Sequence, residues 1–205
     1  MAEVDGKHLI SYGAWRQALS QNKKTIAVGV LAVVFLGGLL LVSADYYPVA
    51  LVNSSTIGAR RFWRNFRAAS VYHGNLQKVY GADEKPLDDK AIQAGVLQEL
   101  IERELVSAGA KVEAGSDMDY LVGRKLTKYD KNSGLQQAAG VVYGLSYADF
   151  RSDVLIPQAE EDVLAGRLYL RGEKLEDWLQ DARRRASVVI FARGFAWDGE
   201  KVVLR

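Results

Sequence analysis

The sequence predicts a mainly α-helical domain with a small β element, an α+β fold, that follows an N-terminal transmembrane helix. Three observations support this fold class. Residues 25–44 carry no charge, apolar residues recur at helical spacing through most of the remaining chain, and short β-branched segments lie near residues 50 and 190. The predicted organisation is therefore a tail at 1–24, a membrane span at 25–44 and one folded domain at 45–205.

The uncharged segment reads TIAVGVLAVVFLGGLLLVSA and is long enough to cross a hydrocarbon core of about 30 Å as a helix. Lys23 and Lys24 precede it, and Tyr46 and Tyr47 follow it, which is typical of a cytoplasmic flank and a far interface. This pattern predicts a single-pass protein of the cell membrane with a cytoplasmic tail and an extracytoplasmic domain. The alternative is a signal peptide cleaved after Ala44, although the apolar run exceeds the usual length of about 7–15 residues.

The composition argues against several classes of function. The 27 basic and 25 acidic residues nearly balance, so no charge excess indicates a nucleic-acid partner. The chain has no cysteine, and its two histidines, His8 and His73, have no third ligand at metal spacing. There is neither a G-x-S-x-G motif nor a glycine-rich phosphate loop in the predicted domain. We therefore expect no cofactor, no metal and no catalytic residue, and hence a protein that is not an enzyme.

The predicted domain begins with a strand at Val49 to Val52, a turn and a helix that starts near Ile57. One face of this helix is apolar and the opposite face is basic, through Arg60, Arg64 and Arg67. A basic amphipathic helix could contact anionic lipid. The favoured interpretation is that its aromatic residues enter the core while its arginines are solvated.

A second helix should follow the break at Pro86, with Asp88 or Asp89 as its N-cap and Gly109 at its C-terminus. Its apolar stripe runs through Leu97, Ile101 and Leu105. The pattern S-x-x-D occurs twice, at Ser116 with Asp119 and at Ser146 with Asp149, and predicts a helix start each time. A short helix between these two sites should end at Tyr143-Gly144.

The helix that starts at Ser146 contains Pro157, which removes a backbone donor and should kink or split it. A further helix, with Leu175 and Trp178 inward, leads to a β-rich segment after Ser187. Asp198-Gly199 predicts a two-residue hairpin turn in that segment. Because an isolated hairpin is marginal in water, the strand at Val49 to Val52 should pair with this segment.

The order of these elements resembles the N-terminal domain of SurA-type chaperones over roughly residues 48–168. The motifs that carry the resemblance are VNSSTIGARRFWRNF, a helix of pattern L-x-x-L-I-x-x-x-L-V, and YGLSYADFRSDVLIPQ. Asn-Ser-Ser stands where the family usually has Asn-Gly, and the residues after Leu168 are too few for the parvulin-type isomerase domain of many members. The resemblance implies a peptide-binding α-domain whose partners are unfolded or exported polypeptides.

The aromatic residues are the candidate contacts for such polypeptides, because they are more numerous than one small core normally needs. The predicted peptide-binding residues are Trp63, Phe66, Tyr143, Tyr147 and Phe150. The alternative is that they simply fill the core between helices. The predicted function is that of a membrane-anchored extracytoplasmic chaperone-like protein that binds without catalysis and contacts lipid through its span. A structural docking module of a membrane or envelope complex is the other hypothesis.

Overall fold

The computed structural model describes residues 28–35, 38, 47–80, 88–130 and 132–205. Residues 28–35 are helical and their side chains are exposed. Within these ranges, every helix is either too short or too polar to cross a membrane. The predicted tail at 1–24 and most of the predicted span at 25–44 lie outside the described residues. The described residues between 47 and 205 form one compact unit.

This unit is mainly helical with a few short antiparallel strands, which confirms the predicted α+β class at that level. In chain order its helices are α1 (Ala59–Tyr80), α2 (Asp89–Ala114), α3 (Met118–Asp130), α4 (Ser133–Tyr143), α5 (Tyr147–Phe150), α6 (Ile156–Leu170) and α7 (Leu175–Arg185). Its strands are β1 (Pro48–Val52), β2 (Ser55–Gly58), β3 (Val188–Ile190), β4 (Phe195–Trp197) and β5 (Val202–Leu204).

The predicted pairing of β1 with the β-rich segment after Ser187 is confirmed. A three-stranded antiparallel sheet has the order β2-β1-β3, and Val52 pairs with Val188 in it. The expected helix start near Ile57 is wrong, because residues 55–58 form β2 and the helix begins at Ala59. Asn53 adopts a left-handed conformation, with φ 53°, and thereby turns the chain back into a hairpin. Ile57, which lies in β2, is therefore fully buried.

The predicted hairpin at Asp198-Gly199 forms from β4 and β5, but its loop is longer than two residues. Trp197 pairs with Val202, so residues 198–201 make the turn. The Asp198 carboxylate accepts hydrogen bonds from the backbone N–H groups of Glu200 (2.9 Å) and Lys201 (2.8 Å). These two bonds hold the pKa of Asp198 below its usual range.

Helix α2 is the central element of the core, because its apolar residues contact two different sets of neighbours. Leu97, Leu100 and Ile101 are almost fully buried against the sheet, α1 and Phe195. One turn further on, Val106 and Ala110 pack in a second cluster with α6 and the start of α3. A third cluster joins α1 to the α3–α6 region.

Gly109 does not end α2, contrary to its predicted role as a C-terminal residue. The helix continues to Ala114 and ends at Gly115, which has φ 55°. A Cβ on Gly109 would overlap the indole ring of Trp178 from α7. The glycine is therefore explained by the close approach of α7 to α2, not by backbone conformation.

The two predicted S-x-x-D helix starts have different outcomes. The Ser146 hydroxyl oxygen accepts a hydrogen bond from the N–H of Asp149 (3.1 Å) and its O–H donates to the Asp149 carboxylate (2.6 Å), which confirms the cap of α5. Ser116 instead lies in a 3₁₀ turn, Gly115–Asp117, that leads into α3. Asp88 occupies the N-cap position of α2 without a side-chain capping bond.

Pro157 splits its helix, as predicted. A π-helical turn, Arg151–Leu155, separates α5 from α6, and the proline lies in the first turn of α6. A proline cannot donate to the carbonyl oxygen four residues earlier, which here belongs to Asp153. The Arg103 guanidinium of α2 donates to that carbonyl oxygen instead. The helix therefore widens where a neighbouring helix supplies the missing donor.

We expect Gly109→Ala to destabilise the domain by about 1–3 kcal/mol, because the added methyl group forces the Trp178 ring out of its packed position. Gly95→Ala in the same helix is the matched control, since a Cβ there meets no atom within 4 Å. The control should stabilise the protein by about 0.5–1 kcal/mol through helix propensity. Guanidinium denaturation monitored by circular dichroism measures both changes, and equal effects would contradict the packing argument.

Deleting residues 194–205 should lower the stability of the whole domain by at least about 3 kcal/mol, the cost of losing one buried aromatic side chain. Phe195, only 6% exposed, belongs to the core cluster around α2. Phe195→Ala should reproduce most of the loss, whereas Leu204→Ala, at a residue that is 55% exposed, should change stability little. An unchanged melting temperature after the deletion would show that the hairpin is not part of the cooperative unit.

Candidate functional site

The five predicted peptide-binding residues fall into two separate groups. Trp63 and Phe66 pack beside the core cluster of α2 and the sheet. Tyr143, Tyr147 and Phe150 belong to the cluster that joins α1 to the α3–α6 region. The structure therefore does not bring the five residues together into one surface.

The second group is occupied by contacts within the domain. Phe150 is 5% exposed and packs in the core, and its role as a peptide contact stays a prediction. Tyr143 stacks on Tyr72 with ring centroids 5.4 Å apart and also contacts Phe150. The Tyr147 hydroxyl donates to the Asp130 carboxylate at 3.0 Å. These contacts explain the second group as packing between helices.

The Asp130 carboxylate also accepts a hydrogen bond from Arg151, at 3.1 Å. The bonds from Arg151 and Tyr147 lower the pKa of Asp130. Partial desolvation and the bond to Asp130 raise the pKa of Tyr147, so this hydroxyl stays a neutral donor at physiological pH. The Tyr147 hydroxyl therefore connects α5 to the end of α3 through Asp130.

Trp63, from the first group, lines an open cleft between the sheet and α1, whereas Phe66 is not part of its lining. Trp63 makes edge-to-face contacts with Phe62 (5.0 Å between centroids) and Phe66 (5.7 Å). Its indole N–H donates to the Tyr47 hydroxyl at 3.3 Å. The cleft has a volume of about 360 Å³, and the aromatic residues along it are Tyr47, Phe62, Trp63, Phe191 and Phe195. We call this site the aromatic cleft.

Two polar side chains complete the aromatic cleft, Gln93 from α2 and Arg193 from the segment after β3. Phe191 is 53% exposed and Tyr47 is 37% exposed, so the walls are open to solvent. The volume is at the small end of ligand sites, about 300–1,000 Å³. The lining offers apolar contact, one amide and one cation, together with the Tyr47 hydroxyl and the Trp63 indole N–H that bond to each other. This chemistry suits binding.

Trp63 is the one residue in the lining of the aromatic cleft that was predicted as a site residue. Phe62 and Gln93, from helices, were not predicted as site residues; Tyr47 was assigned to a membrane interface, and Phe191, Arg193 and Phe195 were treated only as part of a β-rich segment. Helical periodicity could not find these last four residues, because they come from strands and loops that meet α1 only in the folded domain. The one available signal was the uninterrupted apolar run VVIF, which is longer than a half-buried strand requires.

A buried ion network lies beneath α1, at the π-helical turn. Asp153 is 2% exposed, and both of its carboxylate oxygens accept hydrogen bonds from Arg64, Nε to Oδ2 at 2.5 Å and Nη2 to Oδ1 at 2.8 Å. Arg64 also donates to Asp149 at 2.7 Å, and Asn65 donates to Asp153 at 3.2 Å. The hydrogen bond to Asp153 raises the pKa of Arg64. We call this group the Asp153 clamp.

The Asp153 clamp is best explained as a structural joint. It ties α1 to the split helix, and Arg103 of α2 joins it by donating to the Asn65 side-chain oxygen and to the Asp153 carbonyl oxygen. The Asp153 carboxylate oxygens are already used by Arg64 and Asn65. Arg64, one of the three arginines of the basic face predicted for α1, is therefore not simply solvated, because it is part of the clamp. The neighbouring Arg61 pairs with Glu104 of α2. Among the described residues, no group of three or more histidine, aspartate or glutamate side chains could hold a metal ion.

A smaller cleft of about 210 Å³ lies between α2, α6 and α7. Glu99, Glu102 and Glu161 line it together with apolar side chains. Partial burial, followed by the nearby carboxylates of Asp162 and Glu102, raises the pKa of Glu161. Glu102 is paired with Arg183 at 2.7 Å. Arg103 and Gln158 also line this cleft, so its three carboxylates share it with a cation and an amide.

We expect Asp153→Asn to destabilise the domain by about 3 kcal/mol, because it leaves Arg64 without its buried counter-charge. Asp149→Asn is the matched control, since Asp149 pairs with the same arginine but its side chain is 38% exposed. The control should cost about 1 kcal/mol or less. Urea denaturation measures both variants, and a cost for Asp149→Asn as large as for Asp153→Asn would show that burial does not decide the effect.

The comparisons with known proteins do not assign this chain to a family. No family model, no curated protein and no solved structure matches the chain. The resemblance to SurA-type chaperones therefore stays a prediction from the sequence.

Proposed function

We propose that this chain is a membrane-anchored, extracytoplasmic, chaperone-like protein that binds unfolded or exported polypeptides without catalysing a reaction. The observation that carries the proposal is the aromatic cleft. Five aromatic side chains surround an open volume of about 360 Å³, and the other polar side chains that line it are one amide, Gln93, and one guanidinium, Arg193.

Unfolded polypeptides are the ligands that such a cleft fits best. They expose apolar side chains of many shapes, and aromatic walls contact these side chains without requiring one particular sequence. An enzyme substrate would instead require convergent polar groups that fix one orientation. The order of elements that resembles SurA-type chaperones is consistent with the same ligand class. The membrane anchor is the uncharged segment at 25–44, and the extracytoplasmic location follows from the lysines that precede it.

A structural docking module is the second candidate, and a different surface favours it. Tyr169 and Leu170, at the C-terminal end of α6, are 81% and 78% exposed. Neither residue lines the aromatic cleft. Adjacent large side chains with this exposure suit contact with one fixed partner in a membrane or envelope complex. The two functions differ in selectivity, since a chaperone binds many sequences weakly and a docking module binds one partner tightly.

The test uses the full-length protein in lipid nanodiscs and three unrelated, permanently unfolded polypeptides with fluorescent labels. We expect all three to bind, with Kd values in the micromolar range by fluorescence anisotropy. Trp63→Ala should weaken each complex about tenfold, because truncating a central aromatic contact costs about 1.4 kcal/mol or more. Tyr120→Ala is the control, because Tyr120 is 67% exposed on α3 and outside the cleft, and it should leave the Kd values unchanged.

Absence of binding to all three polypeptides at several-fold excess would contradict the chaperone-like function. If, in addition, a single protein were recovered by crosslinking from intact envelopes, and its recovery depended on Tyr169 and Leu170, the docking module would be the correct alternative. Circular dichroism of each variant establishes that lost binding does not result from unfolding.

A further inference from the structure

The charge of the aromatic cleft is the feature that specifies its ligand. Among the described residues that line the cleft, Arg193 is the only charged one. Its side chain is exposed, and it forms neither a hydrogen bond nor an ion pair with any described residue. In contrast, Arg184 of α7 pairs with Glu200 at 2.8 Å. The cleft therefore carries one positive charge that the described part of the domain does not neutralise.

The backbone on both sides of Arg193 is held in place. Arg193 lies in the turn between β3 and β4. Before the turn, the N–H groups of Phe191 and Ala192 both donate to the C=O group of Val49, at 2.8 and 3.2 Å. After the turn, Phe195 is anchored in the core cluster around α2. These contacts fix the point from which the Arg193 side chain extends at the cleft.

The aromatic cleft is concave, with a buried floor and an exposed rim. Phe62 and Phe195 form the floor and are 2% and 6% exposed. Tyr47 and Phe191 form the rim and are 37% and 53% exposed. Aromatic side chains bury about 150–250 Å² each and favour edge-to-face or offset contacts with other rings. A hollow of about 360 Å³ with aromatic walls therefore suits one such side chain and the short piece of chain that carries it.

We propose that the aromatic cleft prefers internal polypeptide segments in which an aromatic side chain lies within one or two residues of an aspartate or glutamate. This inference rests on the proposed function and specifies its ligand. The aromatic side chain enters the hollow, and the neighbouring carboxylate accepts hydrogen bonds from the Arg193 guanidinium. Gln93 also lines the cleft, and its amide N–H groups can donate to the same carboxylate or to a backbone C=O group of the segment.

The shape of the cleft favours a polypeptide over an anionic lipid. Aromatic residues that anchor a protein at a bilayer present their rings to the interface. Here the rings of Phe62 and Phe195 are buried at the bottom of a hollow, where a side chain can reach them. An internal acidic residue is favoured over a terminal carboxylate, because aromatic and acidic residues can recur as neighbours along an unfolded chain, whereas the chain ends only once.

The test measures Kd values of short peptides for the full-length protein in nanodiscs of zwitterionic lipid. The acidic probe is a heptapeptide with a central phenylalanine, an aspartate on each side of it, serine and glycine elsewhere, and both termini blocked. Matched probes replace both aspartates by asparagine or by lysine, or replace the phenylalanine by alanine. NMR titration follows the indole N–H of Trp63, which lies in the cleft and is assigned by its loss in Trp63→Ala.

We expect the acidic probe to bind about threefold to fivefold more tightly than the asparagine probe, which is the range that one exposed ion pair allows. The lysine probe should bind more weakly than the asparagine probe. The alanine probe should bind at least about tenfold more weakly than the acidic probe, because it lacks the ring. In about 1 M salt, where the Debye length is about 3 Å, the preference for aspartate should disappear and the preference for phenylalanine should remain. Equal Kd values for the acidic, asparagine and lysine probes would overturn the proposal.

Arginine variants locate the charge that produces this preference. Arg193→Gln should remove the preference for the acidic probe, and Arg193→Glu should reverse it in favour of the lysine probe. Arg185→Gln is the matched control, because it removes the same charge from a residue that lines a different cleft. This control should keep the preference of the wild-type protein. Equal losses in Arg193→Gln and Arg185→Gln would show that only the net charge of the domain matters and would overturn the proposal.

The remaining outcomes separate this inference from the proposed function. Unfolded polypeptides that bind through Trp63, without any preference between the acidic and lysine probes, would refute the inference and leave the function intact. No binding of any probe or of any unfolded polypeptide would refute both. Tighter binding of a probe whose only carboxylate is a free C-terminus would identify a chain end as the ligand. Displacement of the acidic probe by monomeric dihexanoyl phosphatidylglycerol would identify an anionic lipid, and either result would overturn the proposal.

Discussion

The antiparallel pairing of β1 with β3 is the interaction on which the rest of the structure depends. It joins a strand near residue 50 to one near residue 190, and the helices between them must pack within the space that this closure allows. Asn53 contributes at the end of the ladder, where its backbone N–H donates to Ser187 C=O and its side-chain oxygen accepts from Ser187 N–H. Because loop closure over so many residues costs conformational entropy, the pairing is stable only together with the core that it covers.

Helix α2 supplies that core. It contacts the sheet, α1 and the β4–β5 hairpin through one part of its surface, and α6, α7 and the turn before α3 through another. The Asp153 clamp orients the split helix against α1 and α2. Pro157 removes a backbone donor, Arg103 replaces it, and Arg64 neutralises the buried carboxylate. The Asp153 carbonyl group, which the proline would leave unpaired, is thus hydrogen-bonded by a neighbouring helix, and the split helix is held to α1 and α2 at this point.

The same closure also produces the candidate binding surface. Phe191 and Arg193 reach the aromatic cleft only because β3 lies beside β1, and Tyr47 and Trp63 lie across from them. After β3 the chain turns at Gly194, which has φ 88°, and β4 then lies beside β3. The interface between sheet and helices thus places aromatic side chains from distant segments next to each other.

The sequence by itself determined the local elements. Apolar spacing predicted the helices, Ser146 with Asp149 predicted a cap that forms, Pro157 predicted the split helix, and the β-rich segment after Ser187 predicted a partner for β1. These signals are local, or depend on a strand needing a partner. Only the tertiary structure decided which side chains face one another. Gly109 is explained by the close packing of Trp178, Phe150 lies in the core, and Phe191 lines the aromatic cleft. The sequence could not show these contacts, because contacts between distant segments produce no periodic pattern in it.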